Sequence, residues 1–508
     1  MKKFLALFAM FGLIFVSCSD DDTVVDTTPP MPDPITITSG SANFSNYVAL
    51  GNSLTAGFSD AALFQSGQVA SYPNMLASNF ALAGGGDFNI PLMADDLGGA
   101  TINGESDLNM DGRPDIGNRL ILSFESGSPA PVPVEGQGTT EILNVLSGPF
   151  NNMGVPGAKS YHLLAPGYGN AANLALGAAN PYFVRFASEP NATVLGDAAA
   201  QNPTFFSLWI GNNDVLGYVT AGGAGVDQTG NIDPSTYGGS DISDPNVLAG
   251  SINAILQTMT ANGAGGVIAN LPDVTTIPFL TTVPYNPVPL DAGTAALLNG
   301  AYAAYNGGLA QLQQLGAISA EEVARRTISF EAGASNAVVL LDEDLTDLTG
   351  FNPALINMRQ STPDDLLTLT SSTFIGTLAN PADPTSINGV AVPLADNWVL
   401  TPEEQATANA ALTVYNQTIA ALAVQYDIAF VDANALLVEL GTNGFTLSDG
   451  SMVTATFGTG GGFSLDGVHP SPRGYAILAN AFAEAINTKY GSNLPGVNPL
   501  GFTGLYLE

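Results

Sequence analysis

The chain has 508 residues, 45% of them hydrophobic, enough to bury a large core in one enlarged domain or two ordinary ones. Its 45 acidic side chains against 11 basic ones leave a formal charge of −34. A surface of that sign repels nucleic acid and anionic headgroups, which excludes nucleic-acid binding and makes polyanions poor substrates; it suits solubility, calcium or an outward-facing location, beside the plainer reading of a well-solvated surface.

At the N-terminus, Lys2 and Lys3 precede an apolar run over 4–16, too short to span a bilayer but of the size of a signal-peptide core. Residues 1–17 are therefore expected to be a signal peptide outside the fold. Cys18, the only cysteine, follows at once, so the mature protein is expected to hold no disulfide. Asp20, Asp21 and Asp22 and a Thr- and Pro-rich stretch through Pro34 lack apolar periodicity and predict an extended tether over 18–41. A lone Cys in this position resembles the lipobox of bacterial lipoproteins. The resemblance implies lipid attachment at Cys18, and the acidic residues behind it resemble the surface-export signal of Bacteroidetes lipoproteins. The location so implied is the outer membrane of the cell envelope, with membrane contact through the anchor.

From residue 42 onward, short apolar runs ending in Gly or Asn alternate with helical patterns, the signature of an α/β fold with a central parallel sheet and crossover helices. Strands are predicted at 47–50, 205–210, 266–269 and 428–431, each continuously apolar as a strand buried on both faces requires. In such sheets ligands bind beyond the carboxyl ends of the strands, so the polar residues following each run are where chemistry is expected. Two stretches read as insertions into a domain spanning 42–508. One, at about 84–150, is rich in Gly, Asp and Pro and shows no helix. The other, at about 274–400, carries helical patterns at 295–312 and 320–326. Together they are expected to build the substrate cleft.

Inside the first insertion, Asp107, Asn109, Asp111 and Asp115 occupy positions 1, 3, 5 and 9 of a loop spaced like an EF-hand, with Gly112 at position 6. Asn118 stands where a bidentate Glu would close the shell. A structural calcium ion and an Asp-rich solvated turn are equally compatible with this pattern, and no cofactor is expected to be required for chemistry. Later in the chain, Thr401, Pro402 and Glu404 form a capping-box entry to a helix running towards Gln425, and Ser471 with Pro472 opens another.

Histidine is the natural general base near neutral pH, and the chain has only His162 and His469. His469 follows Asp466 by three residues, close enough for the carboxylate to fix the imidazole's tautomer and stabilise the imidazolium. His162 has no acid within several residues and reads as structural. A base needs a nucleophile on a tight turn, and Ser53, in Gly51-Asn52-Ser53-Leu54, follows the first predicted strand. Its surroundings are not the Gly-X-Ser-X-Gly elbow.

Four separated blocks, in order, resemble those of the SGNH (GDSL-like) hydrolases: Gly51-Asn52-Ser53-Leu54, Asn152-Met153-Gly154-Val155-Pro156-Gly157-Ala158, Gly211-Asn212-Asn213-Asp214, and Asp466-Gly467-Val468-His469. The family usually has Asp where Asn52 stands. The resemblance implies a three-layer α/β/α sandwich of flavodoxin-like type, enlarged by insertions. It also implies catalytic roles for Ser53, Asp466 and His469, and an oxyanion hole formed by the N–H of Ser53, the N–H of Gly157 and the amide of Asn213. The activity implied is hydrolysis of a carboxylic ester through an acyl-enzyme, with a small-molecule or lipid ester as substrate. Apolar insertions and a membrane tether favour fatty-acyl esters. Deacetylation of a polysaccharide and a binding lipoprotein without turnover are the alternatives; a closed apolar tunnel marks the first reading and an aromatic-lined open groove the second.

Overall fold

The computed structural model describes residues 36–107, 114–125 and 127–508. The predicted signal peptide and Cys18 lie outside these residues, as do Asn109 and Asp111. Five strands form one parallel sheet: β1 (Tyr47–Gly51), β2 (Asn152–Gly154), β3 (Phe205–Trp209), β4 (Gly265–Ala269) and β5 (Ala429–Val431). The order across the sheet is β5-β4-β3-β1-β2. Ala49 of β1 lies opposite Asn152 on one side and Ser207 on the other, and Val267 of β4 lies opposite Ser207 and Ala429. Every residue of β1 and β3 is buried, which explains their unbroken apolar sequences. Each fully buried Val, Leu or Phe contributes about 2 kcal/mol of transfer free energy. From β1 the order runs one way to β2 and the other way to β3, so a crevice opens between the carboxyl ends of β1 and β3.

The main helices are, in chain order, α1 (Ser53–Ala56), α2 (Tyr72–Ala81), α3 (Val194–Ala200), α4 (Asn213–Thr220), α5 (Pro245–Thr260), α6 (Ala292–Gln314), α7 (Pro402–Gln425), α8 (Ala433–Thr442) and α9 (Pro472–Tyr490), of which α6 belongs to the region between 274 and 400 and not to the sheet. Their starts follow from local chemistry. Asp244 caps α5, Ser471 caps α9, and Thr401 and Glu404 form a reciprocal capping box at α7. Helix α9 packs on α2 and on β4 and β5. The Tyr72 and Phe482 rings stack at 4.5 Å, and Tyr490 Oη donates to the Gly266 carbonyl at 2.7 Å while accepting its N–H at 2.8 Å. Helix α7 packs on α4, α5, β4 and β5. There the Asn416 amide brackets the backbone of Leu271, accepting its N–H and donating to its carbonyl, both at 2.8 Å.

Between 274 and 400 the chain builds a separate apolar cluster, in which Leu298, Tyr302 and Leu309 of α6 pack against Val339, Leu340 and Leu367. Arg326 is fully buried among backbone carbonyls, donating to Thr346 at 2.6 Å and Ile356 at 2.7 Å. Between 84 and 150 the described residues hold no helix and only short strand pairs, gathered around Met93, Ala100 and Ile142.

Candidate active site

Ser53 opens α1, immediately beyond the carboxyl end of β1. The turn into it is tight: a Cβ on Gly51 would stand 2.1 Å from Thr55 Oγ1 and 2.4 Å from the Trp209 carbonyl. Asn52 is fully buried and caps α1, its Oδ1 accepting the Leu54 N–H at 3.0 Å. Its Nδ2 donates to Asn212 Oδ1 at 3.0 Å, which ties the turn after β1 to the turn after β3 across the crevice.

From the opposite end of the sequence, the loop before α9 delivers Asp466 and His469. Gly467 takes a left-handed φ of +71°, and a Cβ there would meet the Phe279 N at 2.9 Å. The loop closes on itself through the Ser464 N–H to the His469 carbonyl at 2.8 Å. His469 Nδ1 lies 2.8 Å from Asp466 Oδ2, and its Nε2 lies 2.9 Å from Ser53 Oγ. A carboxylate can only accept, so Nδ1 carries the proton in the neutral imidazole and Nε2 is left to accept from the serine hydroxyl. The Phe58 ring packs 4.7 Å from the imidazole centroid and limits how that ring can turn.

Asp466 is held by more than its histidine. Its Oδ1 accepts the N–H groups of Val468 and His469, both at 2.8 Å, and the Ser464 hydroxyl at 3.0 Å; its Oδ2 also accepts the Ala61 N–H at 3.0 Å. Burial pushes this carboxyl up, but the His469 charge and these hydrogen bonds outweigh burial and hold it down at about 2. Asp60 and Ala61 both sit at left-handed φ, +51° and +63°. That strained turn aims the Ala61 N–H at Asp466 and the Asp60 N–H at Ser464 Oγ, 3.0 Å away. Asp60 itself is buried, which pushes its carboxyl up to about 6, with the charge of Asp466 adding to the effect.

The expected oxyanion donors lie on three segments, and Ser53 and Asn213 line one cavity. Ser53 N and Gly157 N have no intramolecular acceptor among the described residues. Gly157 is exposed at a left-handed φ of +79°. Asn213, the first residue of α4, spends one amide N–H on the Ala158 carbonyl at 2.9 Å, which anchors the Gly157 segment beside it and leaves one N–H. Strand β2 ends beside the end of β1, where Val155 N donates to the Gly51 carbonyl at 3.0 Å, and packs against α1. His162 stands apart from the Ser53 hydroxyl partnership. Its Nδ1 accepts the Lys159 N–H at 3.0 Å, its ring stacks on Tyr168 at 4.6 Å, and burial pushes it down to about 4.

Ser53, Asn213 and His469 open into a cavity whose other walls are overwhelmingly apolar, chiefly aliphatic (Leu216, Leu436, Leu437, Leu440) with Trp209, Phe445 and Phe463 among them. Two features of the site were missed in the sequence: the Asp60, Ala61 and Ser464 cradle of Asp466, and the apolar wall supplied by α8. The apolar run over 433–440 directly after the last strand was the available signal for the wall. Of the four loop residues proposed as calcium ligands, only Asp107 and Asp115 fall among the described residues. Among those residues no helix is long and apolar enough to cross a membrane. No protein-family model, curated protein or solved structure matches the chain.

Proposed function

We propose that this chain is a serine esterase of the SGNH type that hydrolyses carboxylic esters with aliphatic acyl groups. The observation that carries the proposal is the continuous relay from Ser53 Oγ to His469 Nε2 at 2.9 Å and from His469 Nδ1 to Asp466 at 2.8 Å. Ser53 attacks the ester carbonyl while His469 takes its proton. The same imidazolium then protonates the departing alcohol, leaving the acyl group on Ser53, and water activated by His469 releases the acid. Asp466 stays ionised throughout and stabilises the imidazolium.

The developing oxyanion is received by the N–H groups of Ser53, Gly157 and Asn213. Losing one such donor costs roughly 3 kcal/mol of barrier. The apolar cavity at Ser53 supports an acyl chain over a sugar, because the polar side chains lining it are the reacting residues and their neighbour Asn212, and no ring of hydroxyl-binding side chains surrounds them. The strand order and the two groups of helices, α2 with α9 and α5 with α7, support a three-layer sandwich with insertions at about 84–150 and 274–400. The N-terminal sequence supports a cell-envelope lipoprotein anchored through Cys18.

The test is hydrolysis of p-nitrophenyl esters from acetate to long acyl chains by the wild type, Ser53→Ala and His469→Ala. Activity that rises with chain length and disappears in both variants is expected. Activity surviving in Ser53→Ala overturns the mechanism, preference for acetate favours the polysaccharide deacetylase reading, and no turnover favours the binding lipoprotein.

A further inference from the structure

Outside the Ser53 site, Glu343, Asp396 and Glu404 each offer a carboxylate oxygen, and these oxygens lie within 4.8 Å of one another. They come from three pieces of chain: the turn after the strand Val339–Leu341, the turn Asp396–Trp398, and the first turn of α7. Glu404 is only 4% exposed. Its Oε2 accepts the Thr401 N–H at 2.6 Å as part of the capping box, whereas its Oε1 is buried with no hydrogen-bond partner. Gly223 leaves room for that oxygen, since a Cβ there would come within 2.0 Å of it.

A buried carboxylate oxygen without a donor is costly and calls for a neutralising partner. No basic side chain supplies one among the described residues; the side chain beside it is the Asp396 carboxyl. The neighbouring Arg325 is shared between Asp342 and Glu403, and Arg359 between Asp342 and Asp365. Burial, and then the charges of Asp396 and Glu343, push the Glu404 carboxyl up to about 8 against the pull of its Thr401 hydrogen bonds. The Tyr218 phenol is raised by burial and by the same carboxylates. Three carboxyl groups this close, one of them buried, cannot all ionise without a neutralising partner.

We propose that Glu343, Asp396 and Glu404 form a binding site for a hard divalent cation, calcium by class. An all-carboxylate donor set, without imidazole or thiolate, selects hard cations, and calcium tolerates an irregular shell completed by water on the exposed Glu343 side. The cation links the apolar body between 274 and 400 to the start of α7. It also reaches the end of α4, where the Asp396 carbonyl packs against Gly222. This site is separate from the Asp107 loop and independent of the hydrolase reading.

The experiment is thermal unfolding of the full chain stripped with EDTA, with and without added calcium, beside Glu404→Gln, Asp396→Asn and Asp107→Asn. Calcium at a large excess over its dissociation constant is expected to raise the wild-type midpoint by about 3 °C. The rise is expected to vanish in Glu404→Gln and Asp396→Asn and to persist in Asp107→Asn. No rise in the wild type, or one that survives in Glu404→Gln, overturns the proposal. Calorimetric titration gives a second reading should a variant fold poorly: calcium-binding heat in the stripped wild type is expected, and its absence overturns the site.

Discussion

Asp466→Asn isolates the role of the carboxylate at almost constant shape. The structure fixes what an amide must do there. Oδ1 faces two backbone N–H groups, of Val468 and His469, that cannot turn away, whereas Oδ2 faces one backbone N–H, of Ala61, and the imidazole. The NH2 group therefore settles at the Oδ2 position, where it orphans the Ala61 N–H and donates to His469 Nδ1. The imidazole is forced into the tautomer with its proton on Nε2, so it can no longer accept from Ser53. Loss of the base in its working tautomer costs roughly 10⁴-fold in kcat, and the orphaned N–H costs about 1–3 kcal/mol of stability. The assay is kcat on a p-nitrophenyl ester near pH 8, paired with an unfolding midpoint. A variant within tenfold of the wild-type kcat refutes the reasoning, because the relay would not then depend on the carboxylate's acceptor character.

Three further outcomes follow from the same geometry. Ser464→Ala removes one charge-assisted hydrogen bond to Asp466 and leaves the Asp60 N–H without its acceptor; kcat is expected to fall about tenfold with an intact fold by circular dichroism. Gly51→Ala places a Cβ against the Trp209 carbonyl and Thr55 and is expected to destabilise the chain by about 1–3 kcal/mol in urea unfolding, with activity falling alongside. Asp466 is depressed in the folded state, so its stabilisation is present above the usual carboxylate value near 4 and is lost as pH falls through about 2. Urea midpoints between pH 4 and pH 2 should therefore drop more steeply in the wild type than in Asp466→Asn.

Much of this arrangement was legible in the sequence because its determinants are local. The unbroken apolar run of β1 declares burial on both faces, and Thr401 with Glu404 three residues later announces the start of α7. Strand β2 was not read as a strand. It has three residues, begins with Asn152 and ends with Gly154, and its pairing comes from its neighbour β1; Asn152 even spends its Nδ2 on the Thr55 carbonyl at 2.9 Å, as a turn residue would. Ser53, Asp466 and His469 could be named because histidine is scarce and each residue sits in a compact motif. The cradle of Asp466 could not, since Ala61 and Asp466 are 405 positions apart and a left-handed Asp-Ala turn leaves no compositional mark. The same holds for the Asn52 and Asn212 pair and for the carboxylates of Glu343, Asp396 and Glu404, which only the folded chain brings together.

The central claim is that Ser53 is the nucleophile, and covalent trapping addresses it without depending on the choice of substrate. The wild type is treated with a long-chain alkyl fluorophosphonate, digested, and mapped by mass spectrometry beside Ser53→Ala. One adduct per chain on the peptide containing Ser53, absent from the variant, is the expected result. An unlabelled wild type, or an adduct on another serine that persists in Ser53→Ala, would contradict the account.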